Sequence, residues 1–366
     1  MRIFVADYRS TQARSNTERF CPEAEPESPG IAVDKLKGNM MVEEVYDNIF
    51  RIGVVLPGNP LKELNSYFIR GEQSDLLIDT GFRRDACREA LEAGLRELGS
   101  DPARRDVLVT HLHSDHSGMA DLFAGPERRI YLSGVDIDLL KLFHEQTDLL
   151  VRHRRFLEEG FPLEQLEEID RTNPAMTERM PEIDRRLTAL QDGSLLRAGG
   201  YTLETLLVPG HTPGNTMFYL RGEQIMFTGD HILFDITPNI THWPGFHDSL
   251  GSYLDQLRRV RDYPVKLALP GHRKAGEYRE RIDSLLEHHR RRLANALSIV
   301  RENPGLTAYE IAGLMRWKIR AADWASFPVI QKWFAVGECL SHLDYLGARG
   351  QVRFETAGNT RRYFAV

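Results

Sequence analysis

Between positions 110 and 118 the chain reads Thr-His-Leu-His-Ser-Asp-His-Ser-Gly, which sets His111, His113, Asp115 and His116 within six residues. Directly before it, Asp106-Val107-Leu108-Val109 is a short apolar, β-branched run that reads as a buried strand. Alternate side chains of an extended segment share a face, so His111 and His113 can meet one metal ion. Asp115 and His116 lie past the strand end, where a turn offers two more ligands. Imidazole with carboxylate suits zinc, iron or manganese. A lone His-x-His is common in polar surface loops; the full run behind an apolar strand is hard to explain that way.

Further candidates follow downstream, each at the C-terminal end of a short apolar run, where an α/β sheet presents its loops. Leu206-Leu207-Val208 leads into Pro209-Gly210-His211, Ile225-Met226-Phe227 into Thr228-Gly229-Asp230, and Leu267-Ala268-Leu269 into Pro270-Gly271-His272. Upstream, Leu76-Leu77-Ile78 ends at Asp79-Thr80-Gly81. Singly these motifs carry little weight. Five in order are specific.

Together they resemble the signature of the metallo-β-lactamase-fold superfamily. That resemblance implies a four-layer αββα sandwich with two divalent metals, most simply zinc, with iron or manganese as alternatives. His111, His113 and His211 would hold one metal, Asp115, His116 and His272 the other, with Asp230 bridging. Asp79 would orient a ligand without touching metal. A metal-bridging hydroxide would attack a carbonyl or phosphoryl centre, and Asp115 is the candidate to orient it. His231, next to Asp230, is a second catalytic candidate, as a proton donor to the leaving group. His242, Trp243 and His247 could add a substrate wall.

Taken from its start, the 366-residue chain is 42% apolar and carries a net charge of −6. It can bury a sizeable core, and its length suggests two domains. The acidic balance gives no global case for nucleic acid or an anionic membrane. No run approaches a membrane span. Residues 1–40, rich in Pro and Glu, read as a flexible lead-in without a secretory h-region, and Met40 or Met41 is an alternative start. Three scattered cysteines fit reduced thiols in a cytoplasmic protein.

Residues 41–280 read as the core domain. Glu44 to Ile52 and Asn65 to Arg70 are strands, and Arg83 to Leu98 is a helix stopped by Gly99. Residues 135–196 read as an almost wholly helical insertion, either a cap over the metal cleft or a layer extending the core, with His144 and His153 as ordinary solvated or packed histidines. From 281 to 366 the pattern is a linker helix, helices with a capping box at Thr307 and Glu310, and a hairpin around Gly358-Asn359. This part resembles a winged-helix domain. It carries 13 Lys and Arg against 8 Asp and Glu, so nucleic acid is a candidate partner, with packing or homodimerisation favoured over it.

The layout resembles the lactamase-beta-like protein two branch of that superfamily. The reading is therefore a dinuclear hydrolase of a thioester, ester or lactone acting on a small acyl substrate. The alternative is a single-stranded RNA endoribonuclease on the same site. A regulator with a degenerate core would lack a ligand, and all seven are present. Mononuclear iron oxidation chemistry is a further use of the same ligands, which metal analysis would separate.

Overall fold

The computed structural model describes residues 42–145, 149–178, 181–317 and 321–366. The lead-in expected at 1–40 lies outside them.

Two sheets form the centre. The first runs β1 (Val42–Tyr46), β2 (Ile49–Val55), β3 (Glu63–Ile69), β4 (Asp75–Ile78), β5 (Arg105–Leu108), β6 (Ile130–Ser133) and β7 (Leu187–Leu190), in chain order. It is antiparallel through β4 and parallel from there on. Parallel neighbours need crossovers. These are α1 (Asp85–Glu97), then α2 (Ser114–Ser117) with α3 (Ala120–Phe123), then α4 (Gly134–Glu145), α5 (Leu149–Glu158), α6 (Leu163–Thr172) and α7 (Pro174–Thr177). The second sheet contains β8 (Leu195–Ala198), β9 (Tyr201–Leu207), β10 (Thr216–Leu220), β11 (Ile225–Gly229) and β12 (Leu267–Pro270), ordered β12-β11-β10-β9-β8.

Between the sheets, Ile49, Tyr67, Ile69, Ile78 and Leu108 meet Leu203, Phe218, Leu220, Phe227 and Leu269. The outer face of the first sheet is covered by Leu91 and Leu95 of α1 and Leu140 of α4. The second is covered by Leu254 and Leu257 of α8 (Ser249–Arg261) and Ile282 and Leu285 of α9 (Tyr278–Glu302). This is the expected αββα layering.

Two local readings change. The run from Glu44 to Ile52 is not one strand but a hairpin, turned at Asp47-Asn48, where Asn48 takes φ +54. Asparagine tolerates that conformation. The stretch expected to be helical to 196 ends in β7 and the first residues of β8, four-residue strands too short to show a period of two.

The C-terminal part comprises the second half of α9, α10 (Ala308–Leu314), α11 (Val329–Ala348) and the hairpin of β13 (Val352–Ala357) and β14 (Thr360–Ala365). The capping box at Thr307 and Glu310 is present. A boundary at 280/281 falls inside α9, whose first half packs on the second sheet while Ala296, Ile299 and Val300 enter the C-terminal core. Phe156 of α5, Leu166 of α6 and Phe161 between those helices join that same core. So α5 and α6 pack against the C-terminal part, and only α4 of the insertion approaches the histidines among the described residues.

Candidate metal centre

The histidine run begins beyond the end of β5. Leu112 is buried in the core under the first sheet, which leaves His111 and His113 on the opposite side of the chain. The next four residues are not loop but the single turn α2, started by bonds from the His116 and Ser117 amides to the His113 carbonyl. That turn carries Asp115 and His116. His211, Asp230 and His272 follow β9, β11 and β12.

Three triads of potential ligand atoms, each within 4.8 Å, result: His111, His113 and His211; His111, His116 and Asp230; and Asp115, His116 and His272. Asp230 faces both sides. Its Oδ1 lies 3.5 Å from His116 Nε2 and 3.7 Å from His272 Nε2, and its Oδ2 lies 3.7 Å from His211 Nε2. His272 Nε2 is 3.4 Å from Asp115 Oδ2. All seven residues of the expected ligand set are therefore brought together.

The outward nitrogens of these rings are held by the protein. His116 Nδ1 meets Asp79 Oδ2 at 2.8 Å, His211 Nδ1 meets the Asn239 carbonyl at 2.8 Å, and His272 Nδ1 meets the Glu63 carbonyl at 2.8 Å. Asp79 also accepts from the Thr110 amide and hydroxyl, both at 2.8 Å. With each Nδ1 donating outward, the neutral form of each ring presents its Nε2 lone pair inward. His116 Nε2 and His272 Nε2 lie 3.1 Å apart, an arrangement that two lone pairs sustain only around a proton or a cation. His211 Nε2 and Asp230 Oδ1 are buried with no hydrogen-bond partner among the described residues. The donor set and these inward-facing atoms fit divalent metal.

Electrostatics divide the centre. Burial, reinforced by neighbouring imidazoles, holds His111 far below the usual histidine range and lowers His113 and His211 to about 4. These three rings are neutral at neutral pH. Burial also opposes charge on His116, but the carboxylates of Asp79, Asp230 and Asp115 outweigh it and raise it to about 10. His272 is raised in the same way by Asp230 and Asp115 against its burial. For Asp115 burial disfavours the carboxylate, yet His116, His272 and His113 overcome it and keep it ionised.

His231 is not part of this gathering. Its ring is fully buried edge-on against Tyr253 of α8, 4.9 Å between centroids, and neither ring nitrogen has a hydrogen-bond partner among the described residues. Burial lowers it to about 3. Trp243 stands beside the centre: it stacks on His113 at 5.8 Å, donates Nε1–H to the His211 carbonyl at 3.0 Å and lies against Phe143 of α4. His242 turns away to Asp344 of α11, at 3.1 Å. Asp136 escaped the sequence reading. It lies near the start of α4, where an acidic residue is unremarkable, yet it joins the loops of His113 and His211.

Residues 62–272 match the sequence profile of the Metallo-beta-lactamase superfamily. An atrochrysone carboxyl ACP thioesterase of Aspergillus novofumigatus is 27% identical over 71% of this chain, which spans 65% of that protein. A human acyl-coenzyme A thioesterase is 27% identical over 57% of this chain and 72% of its own length. The crystal structure of a metallo-beta-lactamase family protein from Thermus thermophilus superposes with a TM-score of 0.73 at 28% identity, covering 87% of this chain and 99% of that one.

Proposed function

Since the chain belongs to the metallo-beta-lactamase superfamily, we propose that it is a metal-dependent hydrolase of acyl thioesters. His111, His113 and His211 form one half of its metal centre, Asp115, His116 and His272 the other, and Asp230 lies between. The observation that carries this reading is the convergence of those seven side chains, with the Nδ1 atoms of His116, His211 and His272 bonded outward and their Nε2 atoms turned to the centre. Two divalent ions, zinc foremost, would supply there a water of lowered pKa and Lewis-acid stabilisation of the oxyanion.

The chain's own groups do the rest. Asp79, Asn239 and Glu63 orient the imidazoles. Asp115, ionised and only partly buried, can accept a hydrogen bond from the attacking water and orient it. Trp243 and Phe143 give the cleft an apolar side suited to an acyl group. His231 is left out of this reading, because a buried ring without a proton partner cannot serve a leaving group. Thioesters are favoured over other esters by the thioesterase names of two relatives.

RNA cleavage draws less support. Arg361 is engaged with Glu158 of α5 at 2.9 Å and packs over Phe354, and Arg362 donates to the Gly305 carbonyl. The deciding experiment is thiol release from a panel of acyl-coenzyme A and acyl-pantetheine thioesters by metal-loaded protein, with Asp230→Asn as blank. Release by the wild type alone is expected. Silence across the panel, with metal bound, would overturn the thioesterase reading.

A further inference from the structure

We infer that Asp136 is a positioning residue that locks the loop of His111 and His113 to the loop of His211, and so sets the three-histidine half of the centre. The inference rests on the assignment of those histidines as ligands.

The carboxylate spans two segments about a hundred residues apart in the chain. Its Oδ2 accepts the Leu112 amide at 2.8 Å, from between the two histidines of the first loop. Its Oδ1 accepts the Gly214 amide at 2.8 Å, and the Thr212 hydroxyl donates to Oδ2 at 3.3 Å, both from the loop that begins at His211. Asp136 is wholly buried, and its own amide donates to Ser133 Oγ at 3.1 Å. The loop comes so close that a Cβ on residue 214 would lie 2.1 Å from Ser133 Oγ and 2.4 Å from Asp136 Oδ1, so only glycine fits.

Its partners are neutral donors, not a cation. Burial raises it to about 7 against those three bonds. A buried carboxylate without an ion partner is an expensive way to join two loops when an apolar contact would serve packing alone. What an apolar contact cannot do is receive amides from both loops at once. Two backbone amides, each within three residues of a ligand, are thereby held to a single rigid group. None of Asp136, Thr212 or Leu112 points a ligand atom into the centre, so the effect acts through the histidines.

Co(II) titration with a competing chromophoric chelator tests this in wild type, Asp136→Asn and Asp79→Asn. Visible Co(II) spectra and metal-free thermal melts are recorded alongside. The wild type should bind in two resolvable steps. Asparagine at 136 offers one acceptor oxygen where two are used, so one step should weaken by about 10–100-fold with an altered Co(II) spectrum. The other step should hold. Asp79→Asn, which disturbs His116, should weaken the step that Asp136→Asn spares. A lowered melting point with both Co(II) steps unchanged would make Asp136 merely structural and overturn the inference, as would equal weakening of both steps. If Asp136→Asn does not fold, Thr212→Val removes one bond and should shift the same step by about threefold; no shift would overturn it. Wild-type protein that takes up no Co(II) would instead overturn the ligand assignment, and the inference with it.

Discussion

Leu112 shows how one apolar side chain aims two polar ones. It is anchored among Val107, Val109 and Leu132 beneath the first sheet, which leaves the imidazoles on either side of it no course but toward the cleft. Leu112→Ala should therefore cost about 2–5 kcal/mol through the cavity it leaves. Chemical denaturation should show this, and metal affinity should fall as well. At this scale most of the centre is legible, because the candidate ligands come in short motifs at strand ends. What is not legible is a residue such as Asp136, whose partners are backbone amides of two loops far apart in the chain. Nothing in the composition around Asp136 separates it from an ordinary acidic residue opening a helix. The opposite error also occurs at this scale. His231 adjoins Asp230 in sequence, but its ring packs against Tyr253, since neighbouring residues at a turn need not face the same way.

Among the elements, α11 is the one whose role the pattern concealed. Its Ser341 hydroxyl donates to the Ile240 carbonyl at 2.7 Å, and a Cβ at Gly337 would lie 2.4 Å from Thr241 Oγ1. The loop it braces supplies the Asn239 carbonyl to His211 and Trp243 to His113. Gly337→Val should overpack this contact, cost about 1–3 kcal/mol and lower the proposed thioester turnover, seen by melting and initial rates. Thr307→Ala provides the contrast. Loss of the capping box should cost about 1 kcal/mol with turnover unchanged, since α10 packs into the C-terminal core, away from the centre. The helices of the C-terminal part were legible from period and capping residues. The face of α11 that braces the loop was not, because its burial is nearly all-round and leaves little amphipathic signal.

For the molecule as a whole, the insertion is joined to the C-terminal part through a buried charged network. Glu159 pairs with Arg155 at 2.9 Å and accepts the Tyr363 hydroxyl at 2.8 Å, with Arg361 at 4.0 Å and Asp344 on the far side of Arg155. Burial raises Glu159 to about 7 despite Arg155 and Tyr363. The folded state then holds a proton that the unfolded chain, with an ordinary glutamate near about 4.3, has released. The associated stability is complete below that value and lost as pH rises through 7. Wild-type protein should lose more melting temperature between about pH 5 and pH 8 than Glu159→Gln. A parallel dependence in both would show that Glu159 takes up no proton on folding.

By itself the sequence determined the strands that end in His, Asp and Gly, the ligand set as candidates, the capped helices and the terminal hairpin. All of these are local, set by period, turn chemistry and residue type within a few positions. Only the tertiary structure decided which backbone carbonyls hold the His211 and His272 rings and that α4 alone of the insertion's described residues reaches the histidines while α5 and α6 serve the C-terminal part. It also decided that α9 belongs to two cores and that Asp136 joins two loops. Those facts depend on contacts between segments far apart in the chain, made by buried polar groups and backbone atoms. Such contacts leave no periodic trace in the chain because their partners are set by packing and not by neighbours in sequence.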